Sequence, residues 1–456
     1  MKASIYELSL RSSGEHKRFS FYREYLRSQY LKTEEIRHRQ WGQLQKLASH
    51  AYKSCDFYQS RFKSCGFDAA HFDNLKQFSV IPPLTKSEIQ NHVESLIASN
   101  WPRKDLIENF TGGSTGQPLR LLHDRARHES RTGATMRHDA WAGRRWGDRV
   151  ALFWGAPVDA PIATYRYRIR RWLAGQQLWL NTGNLKVDDF PKFNEELKEF
   201  QPAVIIAYAN SLALFARFLK ENKLAACAPR GIITSAEILT EESRELIQDV
   251  FGCPVFNRYG CREVSVIASE CERHDGLHIM AEGLYVEVVD PNGQPVAEGE
   301  TGDILVTDLL NYAMPLIRYR IGDRGSWVTG ECACGRGLPR LKSIAGRVTD
   351  FVVGSDRQLV SGVFLATYVI AQRPSLGRVQ IIQSRLGHVH FRVCPGSGFD
   401  LETDRNYLFT EMRKHVGPLE MGLELVDEIP PERSGKLLFC KSEIPQSDLV
   451  CPNAVL

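Results

Sequence analysis

The first hundred residues carry apolar side chains at helical spacing. In the stretch 34–57 they recur every three or four residues, at Ile36, Trp41, Leu44, Leu47 and Ala51. This period predicts an amphipathic helix. The prolines of Ile81–Lys86 interrupt the helical pattern, and Thr85 is suited to cap a further helix.

The middle of the chain, from about Asn109 to Val264, alternates short apolar runs with amphipathic stretches. Buried strands are predicted at 150–155, 203–208 and 231–234, and a helix is predicted at 211–223. Strands that alternate with helices favour layered α/β structure with a mostly parallel sheet. The sequence therefore predicts an α/β fold for this region.

Short strands without intervening helices follow Cys271. The runs Leu284–Val289, Asp303–Thr307 and Leu316–Tyr319 alternate with turn signals such as Asp290–Gly293. Such a series predicts a strand-rich subdomain, either a small barrel or a meander.

A domain boundary is predicted near Gly346–Arg347, because the strand pattern restarts at Asp350–Val353. The prediction is a large N-terminal region at 1–346 and a small α+β C-terminal domain at 347–456.

Composition limits the classes of protein to which this chain can belong. It has 456 residues, of which 43% are hydrophobic and 25% charged, with a formal net charge of +4. Such a composition is typical of a folded globular protein, and the low net charge argues against nucleic acid as the main partner. No apolar run approaches bilayer length, and the N-terminus lacks the pattern of a signal peptide, so we expect a cytoplasmic protein with no membrane span. The eleven cysteines are then expected to be thiols or metal ligands.

A glycine-rich segment, Thr111–Pro118, is the first candidate for chemistry. Its glycines let the backbone approach a ligand closely, and its N–H groups and hydroxyls can donate to phosphate oxygens. No Gly-Lys-Ser/Thr follows, so this is not a Walker loop. A plain surface loop is the alternative interpretation.

Four weaker motifs follow along the chain. In Tyr259–Glu263, a glutamate after a glycine turn suits Mg²⁺ shared with substrate phosphates. In Arg318–Asp323, an aspartate can accept both hydroxyls of a ribose. A loop salt bridge and a turn-stabilising aspartate are the respective alternatives. The other two motifs are Gly346–Asp350, at the proposed boundary, and Arg433–Lys436, whose lysine can neutralise phosphate charge.

In this order the five motifs resemble the adenylate-forming superfamily of acyl-CoA synthetases, luciferases and peptide-synthetase adenylation domains. The closer likeness is to the phenylacetate–CoA ligase branch and its CapK-like relatives in capsular polysaccharide biosynthesis. Further stretches that carry the likeness are Trp154-Gly155, Thr234–Glu237 and Val255–Gly260. The resemblance covers roughly residues 35 to 440.

The resemblance implies that ATP is bound by three groups of residues. The β- and γ-phosphates are expected to be held by Thr111, Gly112, Gly113, Ser114, Thr115 and Gly116. The ribose is expected to bind Asp323, assisted by Arg347. The wall shared by adenine and the acid is expected to comprise Ser235, Ala236, Glu237, Tyr259 and Gly260.

The resemblance also implies which residues act on the reacting groups. Glu263 is expected to bind Mg²⁺, and Lys436 to bridge the attacking carboxylate and the α-phosphate. The resemblance further implies that the small C-terminal domain is a mobile lid that brings Lys436 to the site. This attack gathers negative charge, which a divalent cation and a lysine stabilise. By position, the acid pocket is expected to include Tyr208, Asn210, Ser211, Ser235 and Ala236. This mixture suggests a compact, partly polar acid, such as an aromatic or an amino acid.

The chain departs from the family pattern at several positions. Leu119 stands where a lysine is usual after the phosphate loop, Arg262 replaces the usual threonine, and Thr349 replaces the usual hinge Asp or Lys. Arginine at position 262 is common in the capsular-type branch. Beyond the hinge, Phe351–Gly362 does not match the glycine spacing by which CoA ligases admit pantetheine. Activation of an acid is therefore better supported than transfer to CoA.

A second group of residues suggests a metal. Cys332 and Cys334 form a short knuckle, and the segment Cys271–His278 offers two more ligands. Three thiolates and one imidazole make a closed tetrahedral Zn²⁺ site, which we expect to be structural. The pattern also resembles a zinc site in some relatives of the phenylacetate ligase branch, and they share the stretch around His278, so His278 is preferred to His274. Free buried thiols are the alternative.

The expected function is ATP-dependent activation of a carboxylic acid as an acyl-adenylate with release of pyrophosphate, followed by transfer to CoA. The alternative acceptor is an amine or hydroxyl in polysaccharide or natural-product biosynthesis. A more distant alternative is a non-catalytic nucleotide-binding homologue, because a fold does not fix a function. The basic, aromatic stretch Tyr165–Trp172 is expected to be a solvated helix face rather than a nucleic-acid site.

Overall fold

The computed structural model describes residues 16–110, 119–154, 175–182, 189–237, 239–345, 351–429 and 440–444. These residues form two compact units. The first draws on the described parts of Met1–Thr111, Leu119–Ala142 and Phe256–Gly346. The second draws on those of Gly143–Val255 and Arg347–Leu456. The basic stretch Tyr165–Trp172 lies outside the described residues.

The helices of the described residues are, in chain order, α1 (Lys17–Ser28), α2 (Thr33–Ser54), α3 (Asp56–Cys65), α4 (Leu75–Phe78), α5 (Lys86–Asn91), α6 (Val93–Leu96), α7 (Arg125–Trp141), α8 (Phe190–Phe200), α9 (Ala209–Glu221), α10 (Glu241–Phe251), α11 (Gly362–Tyr368) and α12 (Leu401–Val416). Short 3-10 turns lie at Arg103–Asp105, Ile370–Gln372 and Pro374–Leu376. Among these residues, no helix has the length and apolar character needed to cross a bilayer.

The strands of the first unit are β1 (Ile107–Phe110), β2 (Arg120–His123), β7 (Val255–Cys261), β8 (Ser265–Glu270), β9 (Leu277–Ile279), β10 (Leu284–Val289), β11 (Gly302–Asp308), β12 (Tyr319–Trp327) and β13 (Arg340–Ala345). Those of the second unit are β3 (Val150–Trp154), β4 (Gln177–Asn181), β5 (Val204–Tyr208), β6 (Gly231–Ser235), β14 (Phe351–Val353), β15 (Leu359–Ser361), β16 (Arg378–Arg385), β17 (His388–Cys394), β18 (Glu420–Leu425) and β19 (Cys440–Ser442).

The N-terminal helices follow the predicted pattern with one break. Where the sequence predicts one helix over 34–57, the structure has two, because Cys55 adopts an extended backbone with φ −124° and ψ 114°. Burial of Ile36, Leu44 and Leu47 on α2 confirms the amphipathic period. The predicted cap is also confirmed, since Thr85 and Glu88 form a capping box at the start of α5.

The strands of the first unit form an antiparallel arrangement in the order β10-β11-β12-β13-β9-β8-β7. The consecutive pairing of β10 to β13 confirms the predicted meander. The strand predicted at Leu316–Tyr319 is wrong in its bounds, because β12 begins only at Tyr319. The cause is Arg318, whose φ of +53° interrupts an extended chain.

A parallel sheet in the order β6-β5-β3-β4 confirms the α/β prediction for the second unit. Helices α8, α9 and α10 share one apolar core with these strands, including Phe153, Ile205, Phe215 and Ile247. Parallel strands that pack against helices have continuous apolar runs, which explains why the sequence pattern located β3, β5 and β6. The strand β4 was not predicted.

The C-terminal residues form an α+β element within the second unit. Their sheet has the order β18-β17-β16-β19, and α12 packs into its core through Leu408, Met412 and Val416. The chain passes from the first unit to the second at Gly346–Arg347, but the second unit also includes Gly143–Val255. The division into domains at 1–346 and 347–456 therefore stays a prediction.

Candidate active site and metal centre

Three of the predicted groups lie outside the described residues: the phosphate segment Thr111–Gly116, Arg347 and Lys436. The strands on either side of the phosphate segment are described. Their antiparallel pairing joins Phe110 to Arg120 and Ile107 to His123. The described residues that flank the segment, Phe110 and Arg120, are thus paired with each other in the first unit.

Glu263 lies in the tight turn between β7 and β8. The hydroxyl of Tyr319, a residue that is 1% exposed, donates to Glu263 Oε1 over 3.2 Å. Gly260 permits the close approach of the two strands, because a Cβ there would lie 2.5 Å from the carbonyl oxygen of Ser265. Burial raises the pKa of the Cys261 thiol, as does the nearby Glu263, so this thiol stays protonated beside the carboxylate.

Asp323 lies on β12 and meets Tyr259 of β7. The hydroxyl of Tyr259 donates to Asp323 Oδ2 over 2.9 Å. Burial and the Asp323 charge raise the pKa of Tyr259 well above its usual range, so the phenol remains a donor. The first unit therefore brings together Tyr259, Gly260, Glu263 and Asp323, which the sequence assigned to one site.

The remaining predicted nucleotide and acid residues lie in the second unit, at the carboxyl ends of β5 and β6. Tyr208 pairs with Ser235 across these strands. Ala236 has a φ of +68°, and the backbone N–H of Asn210 donates to Glu237 Oε2 over 2.8 Å. The carboxyl edge of a parallel sheet is the usual place for a ligand.

The acid-pocket candidates include two residues with contrasting surroundings. Ser211 is buried, and its hydroxyl has no hydrogen-bond partner among the described residues. The ring of Tyr208 packs on Trp154 at the end of β3, with ring centroids 4.4 Å apart. Trp154 carried part of the family likeness but was not predicted as a pocket residue, because a strand-terminal tryptophan alone does not indicate which neighbour it meets.

The proposed metal ligands converge in the first unit. The ligand atoms of Cys271, His278, Cys332 and Cys334 all lie within 4.8 Å of one another. Cys271 Sγ lies 3.8 Å from Cys332 Sγ, and Cys334 Sγ lies 3.4 Å from His278 Nε2. His274 lies elsewhere, with its Nδ1 3.2 Å from Glu270 Oε2.

These separations fit a tetrahedral zinc site. Zn–S bonds of about 2.3 Å at the tetrahedral angle place two sulfurs about 3.8 Å apart, and a Zn–N bond of about 2.0 Å places nitrogen about 3.5 Å from sulfur. His278 Nδ1 lies 3.2 Å from the carbonyl oxygen of Leu338, which leaves the Nε2 lone pair directed at the cysteines. Burial lowers the pKa of His278 to about 4, so the imidazole is neutral, as a ligand must be.

Backbone N–H groups support two of the sulfurs. The N–H of Arg273 donates to Cys271 Sγ over 3.5 Å, and that of Arg336 donates to Cys334 Sγ over 3.4 Å. Burial acts to raise the pKa of Cys334, but the donors around it, led by Arg336, outweigh burial and lower that pKa. Burial raises the pKa of Cys271 to about 12, so a cation is needed to make all three sulfurs thiolates.

Three residues near Glu263 were missed by the sequence analysis. Tyr319 lies within the Arg318–Asp323 motif, so its position could have been noticed. Asn109 and Arg131 both donate to the carbonyl oxygen of Arg262, over 2.6 and 2.8 Å. Neither belongs to a recognisable motif, and their contacts span 153 and 131 positions of the chain.

Two protein-family models match the sequence of the chain. The model of the AMP-binding enzyme family matches residues 78–309, which is half of the chain. The model of the CapK C-terminal domain matches residues 352–443.

Two curated relatives represent the two branches of the resemblance. Protein CapK of Staphylococcus aureus is 23% identical over 410 residues, which cover 86% of each chain. The phenylacetate-coenzyme A ligase of Thermus thermophilus is 26% identical over 350 residues, which cover 71% of this chain and 73% of the relative.

A solved structure shares the fold. The thioesterification state of 2-hydroxyisobutyryl-CoA ligase, in complex with 2-HIB-AMP and CoA, superposes with a TM-score of 0.65 and 21% identity, over 91% of this chain and 92% of the other. With the family models and the site residues, this gives one conclusion. The chain belongs to the AMP-binding enzyme family, as an adenylate-forming ligase of the phenylacetate–CoA ligase-like and CapK branch.

Proposed function

We propose that this protein joins a carboxylic acid to CoA in two steps. A carboxylate oxygen of the acid attacks the α-phosphorus of ATP, the bond to the β-phosphate oxygen breaks, and pyrophosphate leaves. The thiol of CoA then attacks the carbonyl carbon of the acyl-adenylate, loses its proton and expels AMP. The product is a thioester.

The observation that carries this proposal is a pair of carboxylates, each oriented by a tyrosine hydroxyl, from the buried Tyr319 and the partly buried Tyr259. Tyr319 donates to Glu263, and Tyr259 donates to Asp323. A fixed carboxylate is suited to Mg²⁺ bound to substrate phosphates, and another to the hydroxyls of a ribose. Mg²⁺ bound at Glu263 would stabilise the charge that builds up on the phosphates.

The other assignments follow the family resemblance. Thr111–Gly116 would hold the β- and γ-phosphates, and Arg347 would assist Asp323 at the ribose. Lys436 would neutralise charge between the carboxylate and the α-phosphate. Tyr208, Asn210, Ser211, Ser235 and Ala236 would line the acid pocket.

A different acceptor is the second candidate. The CapK relative matches more of this chain than the phenylacetate ligase does, and the CapK C-terminal model covers residues 352–443. The segment Phe351–Gly362 also lacks the glycine spacing of CoA ligases. In this version, an amine or hydroxyl attacks the same adenylate and gives an amide or an ester.

The first test is ATP–pyrophosphate exchange with a panel of aryl, fatty and amino acids. Exchange that depends on one acid would establish adenylation and identify the substrate. Glu263→Gln and Lys436→Ala should each reduce exchange by about a hundredfold or more. A protein that binds ATP but exchanges with no acid would favour the non-catalytic alternative.

The acceptor is tested with preformed adenylate of the acid found in this way. Consumption of the adenylate by CoA, with release of AMP, supports the thioester reaction. Consumption by an amine but not by CoA would replace it with the amide reaction.

We also propose that Cys271, His278, Cys332 and Cys334 bind a structural Zn²⁺. Four protein ligands leave no open position, which suits a structural site. The purified protein should contain equimolar zinc, and Cys332→Ser/Cys334→Ser should lose it. Cys55→Ser, at a buried cysteine outside the cluster, is the matched control and should retain zinc. Natively folded protein without metal would contradict this proposal.

A further inference from the structure

Side chains from other parts of the first unit contact the backbone carbonyls of the turn that carries Glu263. The carbonyl oxygen of Arg262 accepts from Asn109 Nδ2 over 2.6 Å and from Arg131 Nη2 over 2.8 Å. The next carbonyl, of Glu263 itself, lies 3.2 Å from His123 Nε2. The third, of Val264, accepts from Arg127 Nη2 over 2.9 Å. Three successive carbonyls of one turn are therefore bound by side chains from elsewhere in the first unit.

These side chains come from both sides of the segment Thr111–Pro118. Asn109 lies on β1, just before the segment, and His123 ends β2, just after it. Arg127 and Arg131 lie one helical turn apart on α7, so they share a face of that helix. The start of α7 is fixed, because the buried Asp124 accepts the backbone N–H of Arg127 over 2.7 Å.

The two arginines differ in how their charge is compensated. Arg127 Nε donates to the buried carboxylate of Asp308 over 2.6 Å. For Arg131, the described residues provide no carboxylate oxygen at ion-pair distance; its described contacts are the carbonyl of Arg262 and the ring of His123. Burial and then the charge of Arg127 lower the pKa of Arg131 to about 10, which leaves it cationic at neutral pH.

His123 completes the arrangement as a neutral side chain. Burial, followed by the charges of Arg131 and Arg127, lowers its pKa well below the usual value. His123 Nε2 lies 3.2 Å from the carbonyl oxygen of Glu263 and 2.9 Å from Arg131 Nη1, and its Nδ1 lies 3.3 Å from the same Nη1, so the neutral ring lies between the guanidinium and the turn. One network thus joins β1, β2 and α7 to the turn.

We propose that Arg131 and Asn109 are positioning residues that set where the Glu263 carboxylate lies relative to the strands around Thr111–Pro118, and thereby set the affinity for Mg²⁺ bound with ATP. This inference rests on the proposed function, in which Glu263 is a ligand of Mg²⁺. A hairpin turn closes through its own strand pairing and does not need four external side chains. The geometry instead fits a turn whose position must be defined to within a fraction of an ångström, as an Mg²⁺ ligand requires.

The test measures binding without turnover. Calorimetry gives the dissociation constant of ATP at low and at high Mg²⁺, in the absence of acid, and the ratio is the tightening due to the metal. Arg131→Met and Asn109→Ala should each reduce this tightening by about tenfold, a typical size for coupling between two sites. Arg131→Lys, which keeps the charge and one donor, should restore most of it. Unchanged tightening in folded Arg131→Met would overturn the proposal.

Arg137→Met is the matched control, since Arg137 is buried on the same helix but bonds to Glu282 and to the carbonyl of Tyr25. It should lower the melting temperature and leave the Mg²⁺ tightening unchanged. If it reduced the tightening as much as Arg131→Met does, the effect would come from general loss of stability and the proposal would fail. If Arg131→Met does not fold, Asn109→Ala and Arg131→Lys carry the same comparison.

A double-mutant cycle with Glu263→Gln separates this inference from the proposed function. If Glu263→Gln abolishes the tightening and Arg131→Met then changes nothing further, Arg131 acts through Glu263. Additive losses would show that Arg131 acts independently, which overturns the positioning role and leaves the function intact. If Glu263→Gln alone keeps the full tightening, the assignment of Mg²⁺ to Glu263 is itself wrong, and the positioning role falls with it.

Discussion

The hydroxyl of Tyr259 donates a hydrogen bond of 2.9 Å to Asp323 Oδ2, which joins β7 to β12 at the proposed ribose site. Tyr259→Phe removes this donor and keeps the ring. A hydrogen bond to a charged group contributes about 1.5–3 kcal/mol, so we expect the dissociation constant of ATP to rise by about tenfold or more. Calorimetry measures it.

Tyr58→Phe is the control for this effect. Tyr58 Oη donates to the carbonyl of Pro315 and accepts the N–H of Ile317, so its loss should lower stability and leave ATP affinity unchanged. Equal losses of ATP affinity in the two variants would contradict a specific role for the Tyr259–Asp323 bond.

Arg318 interrupts the strand that was predicted at 316–319. Substitution of this residue should lower the stability of the protein. Its fully buried guanidinium donates to Glu287 and to the carbonyls of Ser79, Ile81 and Gly293. A lysine cannot make these bonds together, and it leaves Glu287 poorly paired. We therefore expect Arg318→Lys to lower the free energy of unfolding by about 3 kcal/mol or more, as measured by urea denaturation.

The neighbouring Arg320 provides the comparison for Arg318. It is about one-third exposed and lies 3.6 Å from Asp303. Arg320→Lys should change the free energy of unfolding by less than about 1 kcal/mol. Similar losses at both positions would mean that the buried contacts of Arg318 are not what stabilises this region.

Gly133 lets helices α1 and α7 approach closely. A Cβ at Gly133 would lie 2.9 Å from Phe21 Cβ and 3.0 Å from the carbonyl oxygen of Arg18. Gly133→Ala should therefore destabilise the protein by about 1–3 kcal/mol through overpacking, less the gain of about 1 kcal/mol that alanine brings to a helix. Gly42→Ala on α2, where a Cβ meets nothing within 4 Å, should be neutral or stabilising. Thermal denaturation distinguishes the two; a stabilised Gly133→Ala would refute the close contact.

His138 should make stability depend on pH. It is 1% exposed, and within the described part of the chain neither ring nitrogen has a hydrogen-bond partner. Burial, followed by the charges of Arg137 and Arg258, lowers its pKa well below 6.5. As the pH falls below about 6.5, the unfolded chain binds a proton that the folded chain does not, so stability decreases by up to about 1.4 kcal/mol per pH unit.

In the variant His138→Gln, unfolding should take up about one proton fewer at about pH 5 than in the unmodified protein. The free energy of unfolding should therefore fall less steeply between pH 7 and about pH 5. Denaturation curves of the variant and of the unmodified protein at several pH values measure this difference. An unaltered slope in His138→Gln would mean that His138 does not remain neutral in the folded protein.

Local pattern was enough to predict several of the elements. The apolar runs of β5 and β6 and the cap at Thr85 depend on residues close together in the chain, and each lies where it was predicted. The break at Cys55 was missed because the apolar period continues through it, although the backbone there is extended. The left-handed conformation of Arg318 was missed because its cause is a set of distant acceptors.

In the candidate site too, residues within short motifs were predicted, and residues that act through distant contacts were missed. Tyr259 and Glu263 were identified through a motif of five consecutive residues, and the metal ligands through short pairs of cysteines and histidines. Asn109 and Arg131 contribute through a backbone carbonyl, a group that every residue has. No side-chain pattern at position 262 can therefore reveal that two donors converge there.

The cysteine–histidine cluster also has a topological consequence. Cys271 and Cys332 lie 61 positions apart, and the first three strands of the meander, β10, β11 and β12, lie between them. With Zn²⁺ bound, this part of the chain becomes a closed ring. Closing a ring of that size removes conformational entropy from the unfolded chain worth about 4 kcal/mol at 25 °C, by analogy with a disulfide. Bound Zn²⁺ would thus stabilise these three strands against unfolding, although none of its four ligand residues lies on them.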